Sequence, residues 1–496
     1  MTINKAMNIS LTGLNANQAA LNVVSHNIAN MNTEGYAKQR VHFAEMRTPI
    51  TDYSVRGEIA SLAGVKIDGI TAYTSDYLND YYRKQNGDLE GLQADADTAA
   101  ALAGLIDGLS DTGLINTLAD FFSAASALSK NPTDYSLRVN FAEKTKSVAN
   151  KFNSTYKNVS DLKTSKVGDG TLQSAQDSEL GTNVSNINDA LSKLADINRQ
   201  LSINGTDGSL KTNRDQLLTE LAGYANFDIQ INSTGAANVK LDGHDLVMGS
   251  EKVGSIEIGA DASISVRDQN DNVTDVTSKI TGGKVGGLLN GMNGVNEALS
   301  NLDELANSFA GLINGIQTYT DGTNDACYYN RGAGTLERVS DSSDDLNMFV
   351  ASDGSGTITA ANMKINDLIY NDPDKIAAAR LDTSGTGWEL SVGNGDNAIE
   401  FVNSQNTKIT SKNLKVNDYI IGMATKAGAD AAAKQADADA KGAVVDDIKN
   451  QILAETGVNL DEELANMIMY QQAYNASARV FSCCVQVFDT LVALGS

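Results

Sequence analysis

Proline is almost missing from this chain: Pro49, Pro132 and Pro373 are the only three in 496 residues. A proline inside a helix removes a hydrogen bond and clashes with the preceding turn, so their scarcity leaves room for long uninterrupted helices. Aromatic residues make up 6%, with a single tryptophan at Trp388, yet hydrophobic residues at 41% suffice for real cores. Cations are short too: Lys and Arg number 38 against 62 Asp and Glu, a formal net charge of −24. Such a surface repels nucleic acid and anionic lipid, because neutralising phosphate takes clustered cations. Cys327, Cys483 and Cys484 are too few for a disulfide framework. A bridge between the adjacent Cys483 and Cys484 would close a strained ring, so both read as small apolar residues of a helix. No run approaches the ~20 continuous apolar residues of a membrane span, and membrane insertion is not expected. The first residues, Met1 to Leu21, lack the basic, apolar and small-residue succession of a cleaved signal. The expectation is a cytoplasmic protein, or one that leaves by a route needing no cleaved signal.

Chemistry-bearing patterns are equally scarce. His26, His42 and His244 lie far apart, without the spacing of metal ligands. The glycine-rich run Gly282–Gly287 is not followed by the lysine and hydroxyl of a P-loop, and no dinucleotide fingerprint opens a strand–helix unit. A nucleophile elbow is missing as well. Asp341, Asp344 and Asp345, with Ser342 and Ser343, offer oxygen donors but not the spacing of an EF-hand; the run reads as a solvated acidic loop. No catalytic residue, cofactor site or metal site is expected, and the chain does not read as an enzyme.

What is present lies at the two ends. Leu460, Leu464, Met467, Gln471, Tyr474, Ala478, Phe481, Val485, Phe488 and Val492 step by four and three residues. That is the spacing that seats one helix against another as a coiled coil. At the other end Ile3, Met7, Leu14, Leu21, Val24, Ile28 and Met31 follow the same ladder, with Ser10 and Asn17 in the gaps. Asn459, with Glu462 three residues on, marks an N-terminal cap for the last helix. At about 1.5 Å per residue the helices would run roughly 45 and 55 Å. Met469, Val480, Val487 and Leu491 lie off the seam, so more than one face is apolar. Either the ends pack onto their own subunit, or neighbouring subunits complete the second face. In the second case ordering accompanies assembly. Polar residues Asn17 and Gln471 in the seam weaken it but can fix its register.

Between the ends, length predicts roughly three domains. Val41 to Thr74 reads as extended and irregular, with Val65, Ile67 and Ile70 hinting at a short strand. From Asp76 to Lys166 the helical period returns. Leu89, Leu92, Leu102, Leu105, Ile106 and Leu109 form one stripe, and Leu114, Leu118, Phe121, Phe122 and Leu128 another; a third follows the stop-and-cap signal Asn131-Pro132-Thr133-Asp134. Helices over Asn186–Leu201 and Leu210–Ala222 complete an antiparallel bundle. Phe227–Val276 alternates with period two, a small module of hairpins. Gly282–Gly287 reads as a hinge into a helix carrying Leu299, Leu302, Leu305, Phe309, Leu312 and Ile316. Thr320–Asn413 reads as an outer β-rich region. It has strand-like pieces near Phe349, Ile358, Trp388–Val392 and Ile399–Val402, a loop at Tyr328–Asn330 and a short helix near Pro373–Arg380. Ala424–Ala443 favours helix. The expected division is 1–36 with 452–496 as a terminal coiled-coil domain. Residues 37–324 with 426–451 form the helical-bundle domain, with its β-module at about 224–281, and 325–425 an outer β-rich domain. The fold class is mainly α with β insertions.

Asn27-Ile28-Ala29-Asn30, continuing to Thr33, Gly35 and Tyr36, resembles the N-terminal signature of bacterial flagellar axial proteins of the rod, hook and hook–filament junction. Gln471, Gln472 and Tyr474 within Met469–Ala476, then Ala478-Arg479-Val480 and Phe488–Leu491, are similar to the C-terminal signature of the same family. Rod and hook members turn β-rich soon after the first motif. Here a helical bundle follows Asp76, as in the junction members, and Tyr36–Arg40, Asn213–Leu218 and Gly282–Leu289 agree with them. The resemblance covers 1–320 and 440–496 and is thin across 325–425; Cys483-Cys484 departs from a usually cysteine-poor family. It implies export through the flagellar type III apparatus with a chaperone, then ordered addition at the distal hook end. The implied partners are copies of the chain in a ring-like or helical homo-oligomer, the hook protein and the second junction protein. The terminal seams would be the assembly interface. A hook or distal rod subunit remains an alternative, as does a binding or hydrolytic module in the outer region.

Overall fold

The computed structural model describes residues 3–33, 36–48, 61–72, 76–106, 113–205, 207–321, 324–382, 393–409 and 412–495. Trp388 with its expected strand, Leu109 and Gly35 lie outside them. The first helix, α1, spans Ile3–Ala29. It is followed by a hairpin of two long antiparallel strands, β1 (Gln39–Thr48) and β2 (Ser61–Ala72), whose register shifts at His42/Phe43 and Met46/Arg47. Among the described residues, the stretch expected to be irregular forms a bulged antiparallel ribbon. Its alternation is blurred because the bulges change which residues face α1.

The bundle is built from α2 (Asp76–Leu105), α3 (Leu114–Lys130), α4 (Tyr135–Val167), α5 (Leu172–Asp177), α6 (Glu179–Ile203) and α7 (Gly208–Tyr224). Asp134 caps α4 by accepting from the N–H groups of Ser136 and Leu137. Two small sheets follow. The first has strand order β3-β4-β5-β6, from Asp228–Ile231, Ala237–Leu241, His244–Met248 and Glu251–Lys252. The second is β7-β8-β9, from Gly254–Ile258, Ile264–Asp268 and Val273–Asp275. Asp242 and Gly243, both at positive φ, make the tight turn between β4 and β5. Asparagines of α6 hold both sheets by their backbones. Asn198 accepts from the Ala237 N–H at 2.9 Å and donates to its carbonyl at 2.8 Å; Asn188 does the same to Ile256 at 3.0 and 2.7 Å.

Helix α8 runs Gly283–Gln317. Gly282–Gly287 is thus not a hinge but the start of a 35-residue helix. Its glycines let α8 meet α2 backbone to backbone: a Cβ on Gly287 would lie 2.0 Å from the Gly91 carbonyl oxygen, and one on Gly91 2.9 Å from that of Gly283. The outer region contains β10 (Asn324–Asn330), β11 (Thr335–Arg338), β12 (Phe349–Ala351), β13 (Met363–Ile365), α9 (Asp367–Asn371), β14 (Ala377–Asp382), α10 (Asp396–Asn403), β15 (Lys408–Ile409) and β16 (Leu414–Lys415). Several short readings change here. Tyr328–Asn330 is strand, not loop. Pro373–Arg380 is one 3-10 turn running into β14, Ile399–Val402 is helical, and Ile358 lies outside any strand. Runs of four to six apolar residues do not separate helix from strand by period alone.

A long helix, α11 (Val416–Thr456), returns along α2, and α12 (Leu460–Gly495) ends the chain. Helix α11 is tethered by lysines: Lys434 to Asp95, and Lys441 to Gln85 and Asp88. One hydrophobic cluster runs through the bundle, the β-module and part of the outer region, and its aromatic centre joins Phe121 to Phe141 and Phe309, Phe141 to Phe401, and Phe309 to Phe349. The buried residues of α1 belong to none of the three clusters found among the described residues.

The outer region is also fastened by Arg138, 1% exposed on α4. Its guanidinium donates to the carbonyls of Pro132 (2.7 Å), Asp374 (3.1 Å) and Ile376 (2.8 Å), and Asp374 balances its charge at 3.8 Å. Burial lowers its pKa to about 10. Arg138→Met should cost about 3 kcal/mol, because buried carbonyls are left without their donor, while the Asp374 carboxylate keeps Arg331 at 2.8 and 2.9 Å. Thermal melting and limited proteolysis would read this as a lower midpoint and early cleavage around residues 320–420; an unchanged midpoint would remove Arg138 from this role.

Candidate assembly surface on the paired terminal helices

Helices α1 and α12 lie antiparallel. Asn27, near the end of α1, bonds Glu463 in the first turn of α12 at 3.1 Å, and a Cβ on Gly13 would meet Ser477 Oγ at 3.2 Å. On another side α1 packs against β1 and β2. There Thr12 Oγ1 accepts from the Val65 N–H, and Gly64, at φ +122°, sits so close to Thr12 that a Cβ would clash.

Asn27 is the knot of this arrangement. Its Oδ1 accepts from the Gln39 N–H (2.9 Å) and the Tyr36 hydroxyl (2.8 Å); its Nδ2 donates to the Gln39 carbonyl (2.9 Å) and Glu463 Oε2. All four bonds an amide can make are made. With its proton given to Asn27, the Tyr36 oxygen accepts from His26 Nδ1 at 2.9 Å. Burial, then the Glu463 charge, pushes the Tyr36 phenol up to about 12. Asn30 donates to the His26 carbonyl, Thr33 donates to Asn30, and the Tyr36 N–H to the Thr33 carbonyl, so the motif residues form one bonded turn. Beside it Lys38 and Arg40 pair with Glu462 at 3.4 and 2.9 Å, and the Lys38 N–H reaches the Thr456 carbonyl. Asn459 caps α12, accepting from Asp461 and Glu462. Glu462 turns to the cations rather than closing a capping box. Sequence reading took Glu462 only as a cap partner and Gln39 only as part of the Tyr36–Arg40 run, and missed Glu463, whose one signal was an acidic first turn.

Asn27→Leu keeps volume and removes all four bonds. We expect amide exchange at Gln39 to rise about 10- to 100-fold, the equivalent of 1–3 kcal/mol. Unchanged protection would mean that the hairpin is held by packing alone.

The seam residues are placed unevenly. Val24 is buried; Ile3, Met7, Leu14, Leu21 and Ile28 are half-buried, and Met31 lies exposed beyond the helix. On α12, Met467, Tyr474, Ala478, Phe481 and Val485 are half-buried, whereas Leu460, Leu464, Gln471, Phe488 and Val492 are exposed. The covered row of α12 runs instead through Glu463, Met467, Tyr470, Tyr474, Ser477, Phe481 and Val485. Phe488 and Val492 extend past the start of α1, because a 36-residue helix is paired with one of 27. Asn17 bonds the Gly13 carbonyl of its own helix, so it makes no bond across the seam. Gln472 and Arg479 are exposed.

Much apolar surface stays uncovered: Ile468, Met469, Val480, Val487 and Leu491 are each about half exposed. By length and composition an 18-residue window within Val416–Ala493 is apolar enough to cross a membrane, at mean hydropathy 1.3 with none of it buried. Arg479 and Asp489 interrupt the terminal helix, so the apolar residues form stripes and not a continuous run. Cys483 is exposed, Cys484 half-buried and Cys327 buried, its thiol pushed up to about 12 by burial. Among the described residues no three His, Cys, Asp or Glu side chains gather as a metal site.

Long terminal helices paired outside the core, beside a bundle and an outer region, give the chain the build of a structural subunit with an apolar face left uncovered. Comparison with known proteins agrees. Residues 7–36 match the model for flagella basal body rod proteins, 449–494 that for the flagellar basal body rod FlgEFG protein C-terminal region, and 99–325 that for the flagellar hook-associated protein FlgK helical domain. Flagellar hook-associated protein 1 of Bacillus subtilis is 25% identical over 97% of this chain and 96% of its own length. Those of Salmonella typhimurium and Escherichia coli are 23% and 24% identical, each over 98% of this chain and 99% of their own length. The solved flagellar hook junction protein FlgK from Burkholderia pseudomallei has the same fold, with TM-score 0.56 and 14% identity over 76% of this chain and 99% of its own. Over nearly its whole length the chain is similar to flagellar hook-associated protein 1.

Proposed function

We propose that this chain is a structural subunit of the bacterial flagellum, exported and added at the distal hook end, where it joins hook to filament. The observation that carries this reading is the terminal pair: outside the core, capped and clamped at one end, and apolar on its outer face. An apolar patch of that extent on a net-acidic protein marks a surface that another molecule covers. The natural cover is a neighbouring copy of the chain in a ring-like or helical array. The hook protein lies below it and the second junction protein above. The subunit then works by contact and not by catalysis. It is met before assembly by an export chaperone and the flagellar export apparatus, and it ends outside the cell.

Deleting the gene and examining cells by electron microscopy, with flagellin assayed in the medium, tests this. Intact hooks without filaments, and flagellin lost to the medium, are expected. Missing hooks or short rods would move the chain to the hook or distal rod. Normal filaments would overturn the reading.

A further inference from the structure

The terminal pair carries an unbalanced charge pattern. Helix α1 has no acidic residue, and α12 has four: Asp461, Glu462, Glu463 and Asp489. Glu462 is engaged by Lys38 and Arg40, and Glu463 is buried against Asn27. Asp461 and Asp489 remain without a cation among the described residues. Arg479, the one cation of α12, likewise has no carboxylate there; it is exposed on the face turned away from α1 and flanked by the uncovered Val480 and Cys483. A guanidinium in a surface that becomes covered must find a carboxylate or stay in water.

Helical geometry selects which one. Asp461 and Arg479 are 18 residues apart, about five full turns, so they share one line along the helix some 27 Å apart. Asp489, ten residues from Arg479, lies roughly 80° round the helix. Both Asp461 and Arg479 stand on the back of α12, opposite α1, in a line with the exposed Ile468, Gln472, Asn475 and Gln486.

We infer that Arg479 pairs with Asp461 of a second copy of this chain, offset along the helix axis by about 27 Å. The inference rests on the assembly proposed above and supplies its stagger. With successive copies parallel along one axis, as in the assembly proposed above, the contact is head to tail: each copy gives Arg479 to one neighbour and Asp461 to the other, so it propagates, whereas antiparallel copies would close as a symmetric pair. The uncovered stripe beside it excludes water, and the ion pair then sets the register that an apolar stripe alone leaves free to slide.

A charge exchange tests it in the full chain. A strain lacking the gene is complemented with the unaltered chain, Arg479→Asp, Asp461→Arg, or both. Filament-bearing hooks are counted, and the exported protein is measured in the medium. Each single variant should be exported normally, since both positions are exposed, but should reduce filament-bearing hooks at least tenfold. The double variant should return them to within about twofold. Singles that assemble normally, or a double that fails to rescue, would overturn the pairing and leave the junction role intact. If the unaltered chain itself restores no filaments, it is the junction role that falls.

Discussion

Gly287→Val should leave no folded bundle to purify, and even Gly287→Ala should cost about 3 kcal/mol or more. The added carbon would lie 2.0 Å from the Gly91 carbonyl oxygen, 2.8 Å from its carbon and 3.0 Å from Ala94 Cβ. These are mostly backbone atoms of α2, so no side chain can turn aside; the two helices must separate. Separation would open the contacts that α2 makes with α7 and α11 as well. Gly315 provides the control on the same helix. It is exposed with nothing within 4 Å, so Gly315→Ala should stabilise by up to about 1 kcal/mol through helix propensity. Circular dichroism melts of both variants decide the matter, and equal midpoints would mean that α2 and α8 do not meet as described.

Phe481→Asp should abolish filament attachment while sparing the bundle. Phe481 lies half-buried one helical turn beyond Ser477, which faces Gly13 of α1. A carboxylate set into that apolar seam loses water, at a cost of several kcal/mol. The main core includes neither terminal helix, so the purified variant should keep a helical, cooperatively melting bundle. Cells making it should export it yet show at least tenfold fewer filament-bearing hooks, and Phe481→Leu should behave normally. Motility restored to a deletion strain by the aspartate variant would show that the pairing of α1 with α12 is not needed for assembly.

The ends of the chain were the most legible part of the sequence, because a four-three ladder sustained over eight turns suits little besides a helix seated along another helix. The cap at Asp134 was legible for the same local reason. The offset of the covered row on α12 was not: Leu460 and Leu464 fit the ladder, but Glu463 is drawn inward by Asn27, a partner 436 residues away. Gly282–Gly287 misled because glycine marks both flexible chain and close helix contact, and Gly91, which decides between them, is remote in sequence. The hairpin Gln39–Ala72 was obscured by its own bulges. In the outer region, Ile399–Val402 and Pro373–Arg380 were too short for periodicity to separate strand from helix.

One device recurs where helices meet strands. Asn27 holds both polar groups of the Gln39 peptide backbone, Asn188 those of Ile256, Asn198 those of Ala237, and Asn314 those of Phe349. An amide bound this way reads the geometry of a peptide and nothing about the side chain it carries. Four helix positions are thereby constrained to one residue type, and the strand residues they grip are released from any such constraint. A fold fastened at its backbone can let most of its letters change, which suits a chain that aligns over nearly its whole length with relatives sharing only about a quarter of its residues.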